Sequence, residues 1–520
     1  MTKSDTNHQA IVVGSGFGGL AAAIRLQAAG LSVLLLEARD KPGGRAYVYE
    51  QDGFRFDAGP TVLTAPEVID DLFTAAGKNR ADYIQFDRLS PFYRLIWQDD
   101  TSFDYVGDEA ELEAAVKKIS PDDLEGYRRF REYSAAVFAE GYEKLAHVPF
   151  LNIWSMVRAA PKLISLQSYR SVYSIVAKYI KNEKLRQAFS YHTLLVGGNP
   201  FSTSAIYALI HALELKWGVH FPRGGTGALV AALVRLFEDI GGQIKLNASV
   251  DEILLANNRV TGVRLKNGVV INSKVVVSNA DVMHTYRHLL RSAPPAQKKA
   301  RKLEKSDHSM SLFLVYFGVK GEYGDLAHHT ILFGPRYKEL LEDIFDSGVL
   351  ADDFSLYLHS PSVTDSGLAP PGHSTHYVLA PVPHMGISQV DWEIEGPRLA
   401  DRILASLEDR CMPNLRKNIV SSRIFSPPDF EIQLKAWQGS AFSLQPTLWQ
   451  SAYFRVHNRD KKIGGLYFVG AGTHPGAGIP GVVNSARATA GLVIEDVLEV
   501  DPGNEHLVKE SIVKEDVGRS

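Results

Sequence analysis

The chain has 520 residues, of which 45% are hydrophobic and 22% charged, and its formal net charge is −3. This length exceeds the roughly 250–300 residues at which a single core stops growing, so at least two domains are expected. The composition is that of an ordinary folded protein, and the small net charge excludes a global attraction to nucleic acid or anionic lipid. The single cysteine, Cys411, excludes an internal disulfide and a multi-cysteine metal site, and we predict no metal site.

A glycine-rich turn between an apolar strand and a helix comes first along the chain. Residues 10–13 are apolar, GSGFGG follows at residues 14–19, and an apolar helical pattern continues to Gly30. A second apolar strand, residues 31–36, ends in Glu37. This order of strand, glycine turn, helix, strand and acid is the fingerprint of a dinucleotide-binding βαβ unit.

Each glycine of this turn has its own expected role. We assign the tight turn to Gly14, the approach of a pyrophosphate to the backbone to Gly16, and the close packing of helix on strand to Gly19. The phosphates would lie at the helix N-terminus, where free N–H groups and the helix dipole favour an anion. Glu37 stands 18 residues after Gly19, where an acid can accept hydrogen bonds from a ribose.

A second glycine turn, residues 38–45, ends in Gly44 and Arg45. Arg45 is expected near the pyrophosphate or the flavin, where a guanidinium adds charge-assisted hydrogen bonds. The alternative for this segment is an ordinary surface turn. No second GxGxxG follows a strand elsewhere in the chain, which argues against a separate nicotinamide domain. We therefore predict FAD and not NAD.

Another glycine-rich segment, residues 470–481, lies between an apolar strand at residues 466–469 and a helical pattern that begins near Val482. A helix N-terminus near Gly481 would direct its positive end at an isoalloxazine ring and stabilise negative charge on the reduced flavin. His474 in this segment is a candidate acid or base, against the alternative of a structural role. One ligand is thus expected to bind both glycine-rich ends of the chain.

The middle of the chain completes the predicted architecture. The sequence FPRGGTG at residues 221–227 opens a helix, and short strands with hairpin turns follow between residues 244 and 277. We predict an α/β (mixed α+β) protein in which a substrate domain interrupts a Rossmann-type FAD-binding domain. The predicted boundaries are residues 1–75, 221–290 and 460–500 for the FAD-binding domain, residues 76–220 and 291–459 for the substrate-binding and membrane-associated domain, and residues 501–520 for a flexible tail.

Residues 148–164 are apolar, contain Trp154 and are interrupted by the cations Arg158 and Lys162. Such a segment can lie in a bilayer interface while its cations reach the headgroups. The alternative is a core helix with two exposed cations. The chain has no run of about 18 apolar residues, so no transmembrane helix is predicted, and its polar N-terminus favours a cytoplasmic location.

Residues 10–60, 221–227 and 470–481 together resemble the bacterial-type phytoene desaturases, which are FAD-dependent, lycopene-forming carotenoid desaturases. The resemblance covers almost the whole chain, weakens at the first nine residues and after about Val497, and is most specific in residues 472–476. The GxGxxG turn alone would indicate only the larger amine-oxidase/GDI-like flavoprotein group.

The resemblance implies an enzyme that converts 15-cis-phytoene through phytofluene, zeta-carotene and neurosporene to all-trans-lycopene by hydride transfer to FAD. It implies peripheral docking on a membrane lipid surface and transfer of electrons to a quinone or oxygen, and it leaves a homo-oligomer open. No nucleic-acid partner is expected. By position, the cofactor-binding residues that it implies are Gly14, Gly16, Gly19, Glu37, Gly44 and Arg45 for the ADP half, Val250 for the adenine, and Gly472, Gly481 and Val482 for the flavin.

A polyene hydrocarbon offers no polar group for orientation, so this chemistry requires a long apolar tunnel. No catalytic pattern of carboxylates or histidines is visible in the sequence, and the catalytic candidates are Arg158 and His474. Three alternatives stay open: a three-step, neurosporene-forming desaturase, a flavin amine oxidase with an aromatic or acidic cage for a cationic amine, and a non-catalytic isoprenoid-binding protein without need of an intact flavin cradle.

Overall fold

A computed structural model of the chain describes residues 8–500, so the predicted tail lies outside the described residues. The strands in chain order are β1 Ala10–Val13, β2 Val33–Leu36, β3 Val48–Gln51, β4 Phe54–Asp57, β5 Leu63–Thr64, β6 Phe86–Arg88, β7 Tyr93–Ile96, β8 Ser102–Tyr105, β9 Val219–Pro222, β10 Gln243–Lys245, β11 Val250–Ala256, β12 Arg259–Leu265, β13 Val270–Asn272, β14 Val276–Ser278, β15 Ser311–Lys320, β16 His329–Leu332, β17 Leu356–His359, β18 His373–Val382, β19 Ile419–Phe425 and β20 Leu466–Phe468.

The α-helices are joined by shorter 3₁₀ and π segments. In chain order they are α1 Phe17–Ala28, α2 Glu67–Ala75, α3 Glu109–Ile119, α4 Leu124–Phe138, α5 Ile153–Ser165, α6 Val172–Tyr179, α7 Glu183–Ala188, α8 Leu209–Trp217, α9 Thr226–Asp239, α10 Val282–His284, α11 Pro294–Leu303, α12 Lys338–Glu342, α13 Trp392–Arg410, α14 Leu415–Asn418, α15 Pro427–Leu434 and α16 Ile479–Val500.

A five-stranded parallel sheet in the order β10-β2-β1-β14-β20 carries the first glycine turn. Its strands β1 and β2 are buried along their whole length, as expected for a parallel sheet that is covered on both faces. Ala10 and Val12 pack into the cluster that contains α1, α9 and α16. Ile11 and Val13 face the other way, into the cluster that contains the antiparallel sheet β11-β12-β13.

The second part of the fold is built on a seven-stranded mixed sheet in the order β19-β15-β18-β17-β16-β7-β8. Because side chains alternate along a strand, β15 supplies Phe313 and Val315 to one core, under α13, and Leu314 and Tyr316 to another. The second core reaches the helices between residues 109 and 217. Two small sheets, β3-β4 and β5-β9-β6, complete the strand pairing of the described residues.

Helix α5 lies at the surface, with Trp154 68% exposed and Ile164 62% exposed. Among its residues Ala159 alone is buried. The sequence alternative of a core helix is therefore wrong, because a core helix would turn these large apolar side chains inward. Within residues 8–500, no helix combines the length and the apolar character that crossing a bilayer requires.

Candidate cofactor and substrate site

A cavity of about 1140 Å³ connects the two halves of the molecule. We call one part of its wall the nucleotide end, which comprises residues 13–18, 36–39, 43–46, 248–251, 470–471 and 474–482. The other part, the chamber, is formed mainly by apolar and aromatic side chains, namely Tyr191, Leu194, Leu213, Leu314, Ile331, Phe333, Tyr337, Tyr357, Tyr377 and Leu379, together with His192 and Glu214.

The first glycine turn has the shape that its sequence predicts. Gly14 has a φ of +93°, which favours glycine, and a Cβ added to Gly19 would lie 1.9 Å from the Gly14 carbonyl oxygen. Gly16 has an ordinary φ of −65°, and a Cβ there would meet only the side-chain amide of Asn279 closely, at 3.0 Å. The protein itself makes little demand for a glycine at position 16, so an open backbone at the cavity wall fits a bound phosphate group.

Glu37 is buried at the end of β2 and lines the cavity. Its Oε2 accepts hydrogen bonds from the backbone N–H of Ser15 at 2.9 Å and from Ser15 Oγ at 2.6 Å, and its Oε1 accepts one from the Arg39 N–H at 2.9 Å. A carboxylate has about four acceptor positions, so capacity for a ribose hydroxyl remains.

Arg45 extends into the cavity from the second glycine turn, where Gly44 has a φ of +58°. Its Nε donates to the Ala441 carbonyl at 2.7 Å, and its buried Nη2 has no hydrogen-bond partner. Burial lowers the pKa of Arg45, and the charge of Asp281 acts in the opposite direction. The surface-turn alternative is therefore wrong, and the free donor of this guanidinium fits an anionic or carbonyl-rich ligand.

The second glycine-rich segment is held by Arg455, which is only 2% exposed. Arg455 Nη2 donates to the carbonyls of Ala471 at 2.6 Å and Leu444 at 3.1 Å, and Nε donates to the Thr473 carbonyl at 3.2 Å. A buried cation whose donors are satisfied by carbonyl oxygens fixes the course of the loop. Arg455 was not among the residues predicted from the sequence, because nothing local distinguishes it from an exposed arginine.

The remaining predicted cofactor residues form two groups: some line the cavity, and others pack behind its wall. Val250, Gly481 and Val482 line the cavity. Gly472 does not line it, and a Cβ there would lie 2.7 Å from Val282, so close packing behind the wall explains this glycine. Gly19 has the same supporting position.

His474 lines the cavity but is itself buried. Its Nε2 lies 3.2 Å from the Leu145 carbonyl, its ring packs edge-on against Phe150, and its Nδ1 has no partner. Burial lowers the pKa of His474 to about 4, so the imidazole is neutral near pH 7 and its Nε2 donates to the carbonyl. A neutral imidazole can offer Nδ1 as an acceptor and is no general acid at this pH.

The other catalytic candidate, Arg158, is exposed on α5 and is absent from the cavity wall. The structure therefore does not support Arg158 as a catalytic residue. The same helix turns Met156 and Leu163 toward the cavity, so α5 separates the chamber from the outside.

The chamber contains a pair of polar residues that the sequence did not reveal, Glu214 on α8 and His192. The Glu214 side chain is fully buried, and its Oε1 accepts a hydrogen bond from the Tyr93 hydroxyl at 2.7 Å. Its Oε2 lies 3.2 Å from His192 Nε2, although neither atom has a hydrogen-bond partner. Burial and the charge of Glu214 raise the pKa of Tyr93, so this phenol remains a donor. A carboxylate with a free oxygen on an apolar wall is equipped to accept a proton.

Comparison with known proteins agrees with this geometry. The family described as flavin containing amine oxidoreductase matches residues 17–494. The phytoene desaturase (lycopene-forming) of Pantoea ananas is 59% identical over 94% of this chain and 99% of that protein. The phytoene desaturase (neurosporene-forming) of Rhodobacter capsulatus is 41% identical over 93% of this chain and 94% of that protein.

Among solved structures, wild-type putrescine oxidase bound to putrescine has a similar fold, with a TM-score of 0.63 and 17% identity over 94% of this chain and 99% of that chain. The predicted mixed α/β fold with a Rossmann-type half is thus confirmed, and a flavin cofactor follows from the family. The chain belongs to the flavin-containing amine oxidoreductase family and, within it, to the bacterial phytoene desaturases.

Proposed function

We propose that this protein is an FAD-dependent phytoene desaturase that forms lycopene. The observation that carries the proposal is the 59% identity, over nearly the full length of both chains, to a lycopene-forming desaturase, against 41% to a neurosporene-forming one. The cavity supports it, because a nucleotide cradle opens into a chamber walled largely by apolar side chains. A hydrocarbon substrate would be positioned there by shape alone.

The residues at the nucleotide end fit FAD. Glu37 would bind the ribose of the adenosine, the open backbone at Gly16 would receive the pyrophosphate, and Val250 would contact the adenine. Arg45 would donate a hydrogen bond from its free Nη2 to the cofactor, and the first turn of α16 would place the N–H of Gly481 beside it, with Val482 contributing to the wall. When bound, FAD supplies the oxidant by taking a hydride equivalent from the substrate.

Formation of each double bond also requires that a proton leave the neighbouring carbon. We assign this proton to the free Oε2 of Glu214, which no described donor occupies. The Tyr93 hydroxyl holds the other carboxylate oxygen, and the imidazole of His192 stands 3.2 Å away to share the proton. The carboxylate would also stabilise the positive charge that develops on the polyene when hydride departs.

Access to a lipid-soluble substrate is proposed to run beside α5. Its side chains Ile153, Trp154, Val157 and Ile164 are exposed. The helix contacts residues 452–454, whose Phe454 packs against the exposed Trp449, and we call these four α5 side chains with Trp449 the α5 patch. The inward residues Met156 and Leu163 of the same helix line the cavity. We propose that the patch inserts peripherally into a membrane interface, with Arg158 and Lys162 reaching the headgroups. The substrate then passes from lipid to chamber without crossing water.

Electrons are proposed to pass from the reduced flavin to a quinone or to oxygen, and a homo-oligomer is compatible with the proposal.

The test is an anaerobic incubation of FAD-loaded protein with phytoene in liposomes. We expect bleaching of the flavin and, once a quinone is added to re-oxidise it, a stepwise red shift of the polyene spectrum that ends at lycopene, because each flavin takes up one hydride equivalent per round. A red shift that ends at neurosporene would support the three-step alternative. Absence of bleaching with phytoene, but bleaching with an amine panel, would overturn the desaturase proposal in favour of an amine oxidase. Prenyl-chain binding by a colourless protein would overturn it in favour of a carrier.

A further inference from the structure

The α5 patch belongs to two stretches of the chain that contain no acidic residue. Asp and Glu make up 59 of the 520 residues, about one residue in nine. Residues 144–182, which include α5 and α6, contain none, and this is the longest acid-free stretch of the chain. Residues 432–459, which include the segment 452–454 in contact with α5, contain none either. At the average frequency these 67 residues would hold about seven acids, so the patch lies in a region of unusual charge.

Four cations of the first stretch have no carboxylate partner. Arg158 and Lys162 are exposed on α5, one helical turn apart. Beyond the end of α5, the half-buried Arg170 and the exposed Lys178 both donate to Gln167 Oε1, Arg170 from Nη1 at 3.5 Å and Lys178 from Nζ at 3.4 Å. The ion pairs of residues 8–500 include none of the four. Two cations thus converge on one neutral amide oxygen.

The acidic residues that border this stretch are already paired with other cations. These pairs are Glu140 with Lys144 at 3.0 Å, Glu143 with Lys216 at 2.6 Å and Glu183 with Arg186 at 3.6 Å. The positive charge of the four cations is therefore not compensated by the nearest acids along the chain. Like charges one helical turn apart repel each other, and an external anion between them would relieve that repulsion.

The α5 cations border the apolar side chains that would enter a bilayer. Trp154, Arg158 and Lys162 follow one another at intervals of four residues, so they lie along one side of α5. Trp154 is 68% exposed, and Tyr169, which precedes Arg170, is 62% exposed. Arginine and lysine can lay their apolar stems along such a surface while their charged ends reach a phosphate.

We infer that this surface binds anionic glycerophospholipids in preference to zwitterionic ones, with the four cations contacting the headgroup phosphates. A bilayer with anionic lipids has a negative surface potential, which attracts cations close to the surface, whereas a zwitterionic bilayer compensates its phosphates with cationic headgroups. The whole protein, with a net charge of −3, has no such attraction, so the preference is local. This inference rests on the membrane contact of the proposed function and adds the class of lipid.

The test is flotation of the full-length, FAD-loaded protein with vesicles of phosphatidylcholine and with vesicles that also contain phosphatidylglycerol. At low salt we expect binding to the anionic vesicles to be about a hundredfold tighter, because each cation near an anionic surface contributes up to about fivefold. The difference should disappear in 1 M NaCl, where the screening length falls to about 3 Å.

Paired variants locate the preference on the surface. Arg158→Gln combined with Lys162→Gln should lower the preference by about tenfold or more and leave binding to phosphatidylcholine unchanged, because the apolar patch is intact. Lys298→Gln combined with Lys302→Gln removes two exposed cations at the same spacing on α11 and should keep the native preference.

Equal binding to both kinds of vesicle would overturn the inference and leave the α5 patch as a purely apolar contact. Binding to neither would overturn the membrane contact of the proposed function as well. A preference that persists in 1 M NaCl, or in the α5 double variant, would contradict the assignment to these cations. Equal loss of preference in the two double variants would show a response to net charge alone and would also contradict a local surface.

Discussion

The walls at the two ends of the cavity are built from different groups. At the nucleotide end the wall is rich in backbone, with glycines at positions 14, 16 and 44, and the side chains of Glu37 and Arg45 also line it. In the chamber the wall is mainly apolar and aromatic side chains, and Glu214 lies on it beside His192. A charged cofactor needs N–H groups close by, whereas a hydrocarbon needs apolar shape. Substitutions at one end should therefore alter cofactor occupancy, and those at the other should alter chemistry.

The largest effect is expected from Glu214→Gln, which keeps the shape of the side chain but removes the proton acceptor. General acid–base groups typically contribute about 10²–10⁴-fold to rate, so desaturation should slow by that factor while flavin content stays unchanged. The measurement is the rate of flavin bleaching by phytoene, with flavin absorbance as the check on occupancy.

Glu431→Gln serves as the control for that substitution, because Glu431 also lines the cavity but is exposed. It should retain the native rate. A Glu214→Gln variant that desaturates at the native rate would remove Glu214 from the mechanism, and the proton would then have to go to another group.

Gly16→Val tests the nucleotide end. The added side chain fills the open backbone at the cavity wall and crowds Asn279, and overpacking of about 1–3 kcal/mol corresponds to roughly 5–150-fold weaker FAD binding. Flavin absorbance per protein, measured during titration with FAD, reports the change. Gly491→Val, at an exposed position of α16 with no atom within 4 Å of its added Cβ, should bind FAD normally. Full occupancy in Gly16→Val would contradict the cradle assignment.

Gly19→Ala tests whether Gly19, at the same end, acts on the packing of α1 against β1 or on the bound cofactor. Its Cβ would lie 1.9 Å from the Gly14 carbonyl oxygen, so α1 must move away from β1, at a cost of about 1–3 kcal/mol or more. The thermal midpoint should fall by several degrees whether or not FAD is added, unlike in Gly491→Ala. A lower midpoint that excess FAD fully restores would show that Gly19 acts mainly on the ligand, contrary to its position behind the wall.

The contrast between the ends also explains what the sequence could predict. One part of the nucleotide end, residues 10–37, is contiguous, so strand, turn, helix and Glu37 follow one another within 30 residues and their spacing identifies them. Glu214 and His192 come from separate helical segments. Such contacts between residues distant in sequence depend on tertiary packing, which local periodicity does not encode. A single glutamate within the apolar pattern of α8 was the one local signal for Glu214.

For α5, the sequence shows the apolar face of the helix but not whether this face contacts a protein core or a membrane. Its apolar face fits a protein core or a membrane equally well, and only the observed exposure decides against the core.

The Trp154→Glu variant tests the membrane contact, because it places a charge within the α5 patch. Binding to liposomes should weaken about tenfold, which is some 1.4 kcal/mol, in a flotation assay. Ile394→Glu, an exposed apolar residue on α13, should bind as the native protein does. Equal binding by both variants would place the membrane contact elsewhere.

The smallest effect on desaturation is expected at His474, on the wall of the nucleotide end. Its pKa of about 4 lies below the ordinary value of 6.5, so the unfolded chain binds a proton more readily than the folded one between these pH values. Stability from this group is therefore complete above about pH 6.5 and is lost as the pH falls toward 4, with a slope of up to about 1.4 kcal/mol per pH unit. His474→Gln should reduce the pH dependence of the thermal midpoint in that window and leave activity between pH 7 and 8 unchanged. A pH-independent loss of rate in a variant that keeps its flavin would instead make the free Nδ1 of His474 part of the chemistry. The nucleotide end would then take part in catalysis as well as in cofactor binding.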